Sequence, residues 1–506
     1  MRRLLLTLAL AGTCLAILIV PARYGSFVAG GSDSYCYVHQ AERWASGRML
    51  VPEPLALAAP WPDAALTFAP AGHRPSPTVP GAIVPICPSG LSLVMAPFLL
   101  AGGRAAMFSV IPLCGVVLVL ATFVLGCRVS DGVGVASAIA TASSPIFLYQ
   151  LMQPMSDVPA AAFWTLALAA ATSSGPRGPL LAGICAGVAI LIRPNLLPLG
   201  LVIGVYLLTR PQRTAGERGR DGGVYAAGSA VGCIAVAAIQ RYFYGSPFAS
   251  GYGEVGDIFA LTHVGPNASR YLSWLAQAQT PMVALALASP LVLSRAFAAL
   301  GLAFCAATLG IYLPYLVFED WSYVRFLLPA VPVLIVLTLG TVAGLARRVG
   351  ARWVGTALAV AAALLIVPGL RTTVMKQAFQ LESLEAVFPR SGEVVARRLP
   401  GNALVMTSRY SGSVRYYAGR KTLVWDALDR AWLDRAVAFV RESGFEPYFL
   451  LDSGEEAAFR QRFSGSLLAR LDWPPAIEIA PQVRIYRPGD RERYLRGELP
   501  PTEYVR

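Results

Sequence analysis

The chain has 506 residues, of which 55% are hydrophobic and only 14% charged, against about a quarter charged in an ordinary soluble protein. Of its 71 Asp, Glu, Lys and Arg residues, 37 fall in positions 372–506, which excludes a uniform soluble fold: the first 371 residues have the composition of a membrane domain and the remainder that of a soluble one. The net charge of +13 does not indicate a nucleic-acid binder, because the tail holds 20 basic and 17 acidic residues and the surplus falls in membrane loops, where the positive-inside bias accounts for it.

The chain opens MRRLLLTLALAGTCLAILIVPARYG, two arginines and then an apolar run from Leu4 to Val20. The run is long for a secretory signal and no A-x-A site follows, so an uncleaved first span with a cytoplasmic N-terminus is expected. An outer loop, 22–105, comes next. It contains GSDSYCYVHQAERWASGRML (31–50), which sets Asp33 a few residues beyond the expected membrane edge, with Tyr35 and Tyr37 and a helix-like run behind it. The apolar stretch AIVPICPSGLSLVMAPFLLA (82–101) is interrupted by three prolines. Further spans are expected near 106–126, 133–150, 158–173, 179–193, 195–209, 223–241, 281–296, 298–318, 325–346 and 352–370. The basic loops 210–223 and 346–353 belong in the cytoplasm. They fall there only if 82–101 does not cross, so that stretch is expected to lie on the surface or to re-enter, leaving eleven spans.

In the tail, ALVMTS (403–408), TLVWDA (422–427), PYFLLD (447–452) and VRIYRP (483–488) read as strands, and 429–444 and 454–465 as amphipathic helices, each ended by Gly. The pattern is that of a small α/β domain without GxGxxG, Walker or HExxH signatures. None of the eight cysteines lies in the tail, and there is no CxxC. Cys36 and Cys87 both fall on the expected outer side, where an oxidising compartment would allow a disulfide.

Acids are scarce in the apolar region: only Asp131 and Asp157 occur between 106 and 210. Asp131 sits in the turn RVSDGVG and reads as a turn residue. Asp157, in QPMSDVP, stands at the outer start of a span, where it can cap a helix or line a site. Asp33 has the same two readings, a plain cap or a general base at the water–membrane boundary. Arg193 in LIRPN, Arg325 in WSYVRF and Arg74 in AGHRPSP are candidates for clamping a phosphate. Each also has a plainer reading as an interfacial anchor or carboxylate partner. His73 beside Arg74 is a candidate acceptor or phosphate contact, and Tyr35 and Tyr37 are candidates for stacking on sugar. Asn267-Ala268-Ser269 is a formal N-glycosylation triplet.

The order of these features resembles the GT-C superfamily of membrane glycosyltransferases, in particular its bacterial mannosyltransferase-like and aminoarabinose-transferase-like branch. The features are a first span, an outer loop opening on Asp33, the surface helix AERWASGRM, the proline-broken PICPSGLSLVMAPFLLAGG and a second outer acid in PMSDVP. LIRPNLLPLG, YFYGSPFASGYG and DWSYVRFLLPAVP are similar to later segments of such proteins, and the resemblance covers about residues 1–371. It implies an α-helical polytopic membrane protein with about eleven transmembrane helices (1–371) and a small extracytoplasmic α/β domain (372–506). The implied activity is inverting transfer of a sugar from a polyprenyl-phosphate donor to a glycan, lipid or protein acceptor at the outer face of the cytoplasmic membrane. Asp33 takes the place of the catalytic base and Asp157 that of the second acid. Ser34 and Tyr35 follow Asp33, so there is no DxD, and neither a divalent metal nor another cofactor is expected.

Two other readings compete: a transporter or flippase for a lipid-linked or amphipathic solute, and an inactive scaffold of the same fold. A transporter favours mid-span ionisable residues and paired inverted repeats. Here the acids stand at span ends and no repeat is visible. Asp33 and Asp157 are both present, which favours the enzyme over the scaffold.

Overall fold

The protein is described from a computed structural model covering residues 2–211, 213–480, 482–498 and 501–505. The chain forms two compact units. The first comprises 1–27, 88–242 and 246–382, and the second 28–87, 243–245 and 383–506.

The first unit is helical. Among the described residues, six helices are long and apolar enough to cross a membrane, or seven if the bent pair Asp131–Ala142 and Pro145–Leu151 is one span. Five shorter apolar helices accompany them: Val110–Gly126, Asp157–Ala171, Gly178–Ile192, Pro194–Thr209 and Pro281–Leu291. The most enclosed of these six is Trp321–Val349, whose apolar eighteen-residue stretch is 89% buried, as suits a helix packed within a bundle. Between helices, small residues allow close approach. A Cβ on Gly232 would fall on the backbone of Gly187, and one on Gly183 on the carbonyl of Tyr225. Gly183 and Gly187 face Gly228 and Gly232, so both partners carry the small-xxx-small spacing that brings helices together in lipid.

The stretch 82–101 differs from expectation. Residues Ala82–Pro85 form a strand of the second unit, and a helix starts at Gly90. Gly90–Phe108 is by length and hydropathy able to cross a membrane. The helix continues to Gly126 only through a break at Gly102 and Gly103, the latter at φ 70°, a conformation that glycine adopts without a Cβ penalty. Of the three prolines, two precede the helix and Pro97 is carried within it.

The second unit joins the loop after the first helix to the tail. The division falls at 382/383 rather than after 371, and the loop residues 28–87 cluster with the soluble part. In the loop, β1 (Val51–Pro52), β2 (His73–Pro75) and β3 (Ala82–Pro85) make a small antiparallel sheet in the order β1-β3-β2. The tail holds β4 (Ala403–Met406), β5 (Lys421–Leu423), β6 (Glu446–Asp452), β7 (Ile477–Ile479), β8 (Val483–Tyr486) and β9 (Glu503–Val505). These form one mixed sheet in the order β5-β4-β6-β8-β7-β9. Side chains alternate across it. Leu404, Met406, Phe449 and Leu451 enter one core, with Val437 and Phe459 from the covering helices. Ala403, Val405, Leu450 and Ile485 enter the other, with Val394 and Val395 from helix Val387–Arg398. Trp61 and Phe68 of the loop complete the first core.

Polar links bind loop to tail as firmly. Glu53, 1% exposed, accepts from Arg415 Nη1 at 2.7 Å and from Lys421 Nζ at 2.8 Å. Arg415 also donates to the carbonyl of Phe68 at 2.7 Å, and Tyr416 to Glu42 at 2.7 Å. Within the loop, Cys36 and Cys87 form a disulfide. Removing one partner of a buried ion pair costs about 3–5 kcal/mol. Glu53→Gln should therefore speed amide hydrogen exchange in 51–85 about a hundredfold, with helix Trp321–Val349 unaffected. Unchanged exchange in the loop would show that the ion triad does not hold it.

Candidate active site

Each unit gathers part of the predicted set. In the first, Asp157 is the first residue of helix Asp157–Ala171, with Pro159 in the opening turn, where a missing N–H does no harm. The next helix, Gly178–Ile192, stops at Arg193 because Pro194 follows. A residue before proline is pushed out of the α region, and Arg193 sits at φ −140°, ψ 87°. Its guanidinium turns back onto Asp157, Nη1 to Oδ1 at 2.6 Å. The carboxylate thus lies at a helix N-terminus and the cation at a helix C-terminus, each at the dipole end that favours it. Asp157 is 1% exposed, so the acid expected to line the site is committed to orienting Arg193.

Phe326 joins the two candidate arginines. The Arg193 guanidinium carbon lies 5.3 Å from its ring centroid and that of Arg325 lies 5.4 Å away. Arg325 also sits 5.1 Å over Tyr323. Phe326 stacks on Tyr312 at 4.7 Å, and Asn195 Nδ2 donates to the Tyr312 hydroxyl at 2.9 Å. Cation–π contacts of this kind hold a guanidinium plane while leaving its charge in place. Two guanidinium groups over one aromatic ring suit an anion with an apolar or planar body. Asn267 is 2% exposed and donates to the carbonyls of Tyr312, Leu313 and Tyr315. It ties down a helix end, so the glycosylation triplet is closed to modification.

In the second unit, Asp33 opens helix Asp33–Ser46. The N-cap is Ser32, which makes no side-chain cap bond, so Asp33 is a first-turn acid favoured by the helix dipole rather than the cap itself. It is partly exposed. Tyr35 and Tyr37, expected to offer faces to a sugar, are 1% and 4% exposed. Tyr35 stacks on His39 at 5.2 Å, and a Cβ on Gly412 would strike its ring. Both tyrosines are core residues that seat the helix. His39 Nδ1 and His73 Nε2 are 3.0 Å apart, so one ring donates and the other accepts. Burial, then His39 and Arg415, hold His73 well below its ordinary range. Burial, then Arg43 and Arg415, lower His39 to about 4. A neutral, buried His73 offers no charge to a phosphate. Arg74 lies beside it on β2, partly exposed. Among the described residues, no group of three or more His, Cys, Asp or Glu is placed to hold a metal ion.

No known family profile and no curated protein matches the sequence. The fold does match those of solved structures. ArnT from Cupriavidus metallidurans in the apo state superposes with a TM-score of 0.58 at 11% identity, over 95% of this chain and 97% of that one. The same protein bound to undecaprenyl phosphate gives 0.52 at 14% identity, over 90% and 94%. The oligosaccharyltransferase AglB from Archaeoglobus fulgidus, in complex with an inhibitory peptide and a dolichol-phosphate, gives 0.56 at 13% identity, over 92% and 72%. At such identities the fold is what is shared.

Sequence reasoning reached Asp157, Arg193 and Arg325 singly but not Phe326, Tyr312 or Asn195, which assemble them. Asn195 stands two positions after Arg193, and Phe326 directly after Arg325. That adjacency was the available signal.

The histidine pair sets a pH dependence. Both imidazoles titrate near 6.5 in an unfolded chain but lower in the fold. Between those values the unfolded state binds more protons, so their contribution is complete above about pH 6.5 and is lost as pH falls towards about 4. Unfolding midpoints of the second unit should drop across that range, and drop less in His39→Gln/His73→Gln. Parallel curves for the two proteins would assign the acid sensitivity to other groups.

Proposed function

We propose that the protein is an inverting glycosyltransferase that moves a sugar from a polyprenyl-phosphate carrier to an acceptor on the outer face of the cytoplasmic membrane. The observation that carries this reading is the cluster of Asp157, Arg193, Phe326 and Arg325: two guanidinium groups backed by one aromatic ring, at the ends of apolar helices. A lipid phosphate is the anion that such a place would meet, and two of the fold's solved neighbours hold undecaprenyl phosphate or a dolichol-phosphate. The Cys36–Cys87 disulfide favours an oxidising compartment for the second unit, and hence an extracytoplasmic tail.

In this mechanism the Asp33 carboxylate takes the proton from the acceptor hydroxyl or amine as that atom attacks the anomeric carbon. The bond from that carbon to the phosphate oxygen breaks with inversion. The polyprenyl phosphate departs with its charge held by Arg193 and Arg325, while Asp157 is a positioning residue for Arg193. Asp33 works here as a proton acceptor, with no second Asp two positions on to share a metal.

Purified protein supplied with polyprenyl-phosphate sugars tests these roles. Asp33→Asn should fold, bind donor and lose at least about two decades of turnover, the usual contribution of a general base. A folded Asp33→Asn variant with near-normal turnover would remove Asp33 from the chemistry. Arg193→Ala and Arg325→Ala should each raise the donor KM by about one to two decades, from a charge-assisted contact of about 1.5–3 kcal/mol. Arg325→Lys should recover only part, since the planar fork is gone. If donor KM stays constant in both alanine variants, the arginines are anchors and the phosphate binds elsewhere.

A further inference from the structure

The helices that carry Asp157 and Arg193 have a charged hollow at their other ends. Asp157 starts a fifteen-residue helix and Arg193 follows the end of the next, so the connection 172–177 lies one helix length away, about 22 Å. There Arg128, Arg210, Arg213, Arg347 and Tyr206 line a cavity of about 560 Å³. Val292, Leu293 and Phe297 give it an apolar wall.

Part of this arginine cluster has an internal explanation. Arg128 donates to the carbonyl of Ala169 at 3.0 Å, Arg210 to that of Ala171 at 3.4 Å and Arg213 to that of Ser174 at 2.9 Å. These carbonyls belong to the end of helix Asp157–Ala171 and the turn after it, a place that favours cations. Asp221 pairs with Arg210 and Glu217 with Arg213.

Two features are left over. Arg210 is 5% exposed, yet its Nε has no acceptor, and a buried charged N–H is costly to leave unsatisfied. Arg128 and Arg347 have no ion-pair partner among the described residues, so the cavity holds two cations beyond its paired ones. Helix Arg295–Tyr312 also begins on its wall, at Ser294, adding the positive end of a dipole. Spare cationic donors on one side and an apolar wall on the other, at the ends of membrane helices, match a phosphate attached to hydrocarbon.

We infer that this cavity binds the phosphate headgroup of an anionic phospholipid. Arg128, Arg210 and Arg347 meet the phosphate oxygens, and Phe297 and Leu293 meet the first part of the acyl chains. The site is separate from the proposed reaction centre and stands whether or not the protein is a glycosyltransferase.

Native mass spectrometry of the full chain, released from detergent with phosphatidylglycerol or phosphatidylcholine, reads this directly. The wild type should retain phosphatidylglycerol at least about tenfold more than phosphatidylcholine, and Arg128→Gln/Arg347→Gln should lose that preference. Arg347→Gln alone, which breaks no contact made to a described residue, should lose part of it and keeps the test open if the double variant does not fold. Arg352→Gln, outside the cavity, should keep the full preference. An equal loss in Arg352→Gln would mean general attraction to a basic surface, and an undiminished preference in Arg347→Gln would equally overturn the site. Displacement of phosphatidylglycerol by millimolar inorganic phosphate would make it a site for free phosphate and overturn the lipid assignment.

Discussion

The carboxylate of Glu53 is the point on which the soluble unit turns. At 1% exposure it has no water to stabilise it, and a lone buried charge is untenable. Arg415 and Lys421 supply the countercharge from 362 and 368 residues further along the chain. Arg415 spends the rest of its fork on Thr422 and the carbonyl of Phe68, a geometry that a lysine could not reproduce. The loop is thereby registered against β5 and the core beneath it. Helix Asp33–Ser46 inherits that order through the Cys36–Cys87 disulfide and the Tyr416–Glu42 bond. A partly exposed Asp33 can then be held in one place without being buried itself.

The membrane unit meets the same electrostatic problem with fewer resources. Water cannot reach Asp157, and the nearest remedy is the cation released by the Pro194 break. Two adjoining helices thus contribute opposite charges from opposite termini, and each dipole supports the pairing. Aromatic rings then take the place that solvent has elsewhere: Phe326 faces both guanidinium groups and leans on Tyr312. The result keeps the two guanidinium groups in a defined orientation against one ring.

Local patterns were readable in the sequence. The short apolar runs in ALVMTS and PYFLLD placed β4 and β6, and longer apolar runs located the helices, because hydropathy is a property of contiguous residues. Scarcity of acids singled out Asp33 and Asp157, and position at the end of a span singled out Arg193. What depended on distant pairing was hidden. Nothing in Glu53 distinguishes it from a surface acid until Arg415 is brought to it. Tyr35 looked like a platform because Gly412, which packs against its ring, lies far away in the tail, and nothing local marks Tyr37 as buried. The segment 82–101 was judged by the charges of distant loops, which say nothing of its local form: a helix start at Gly90 and a break at Gly102–Gly103.

The separation between Glu53 and its partners also fixes an order of events during synthesis. At roughly 5–20 residues per second, the 362 residues between Glu53 and Arg415 take about 20–70 s to make. For that interval the loop has left the ribosome and most of the helices are being inserted, yet the sheet that completes its core does not exist. Cys36 and Cys87 are only 51 residues apart, so their bond is the long-lived restraint available early. The nascent loop therefore waits as a cross-linked, half-finished surface, with Glu53, Trp61 and Phe68 uncovered. Quality-control factors have their longest opportunity to engage the protein in that window, and a stop codon anywhere before 415 would leave the loop in that state permanently.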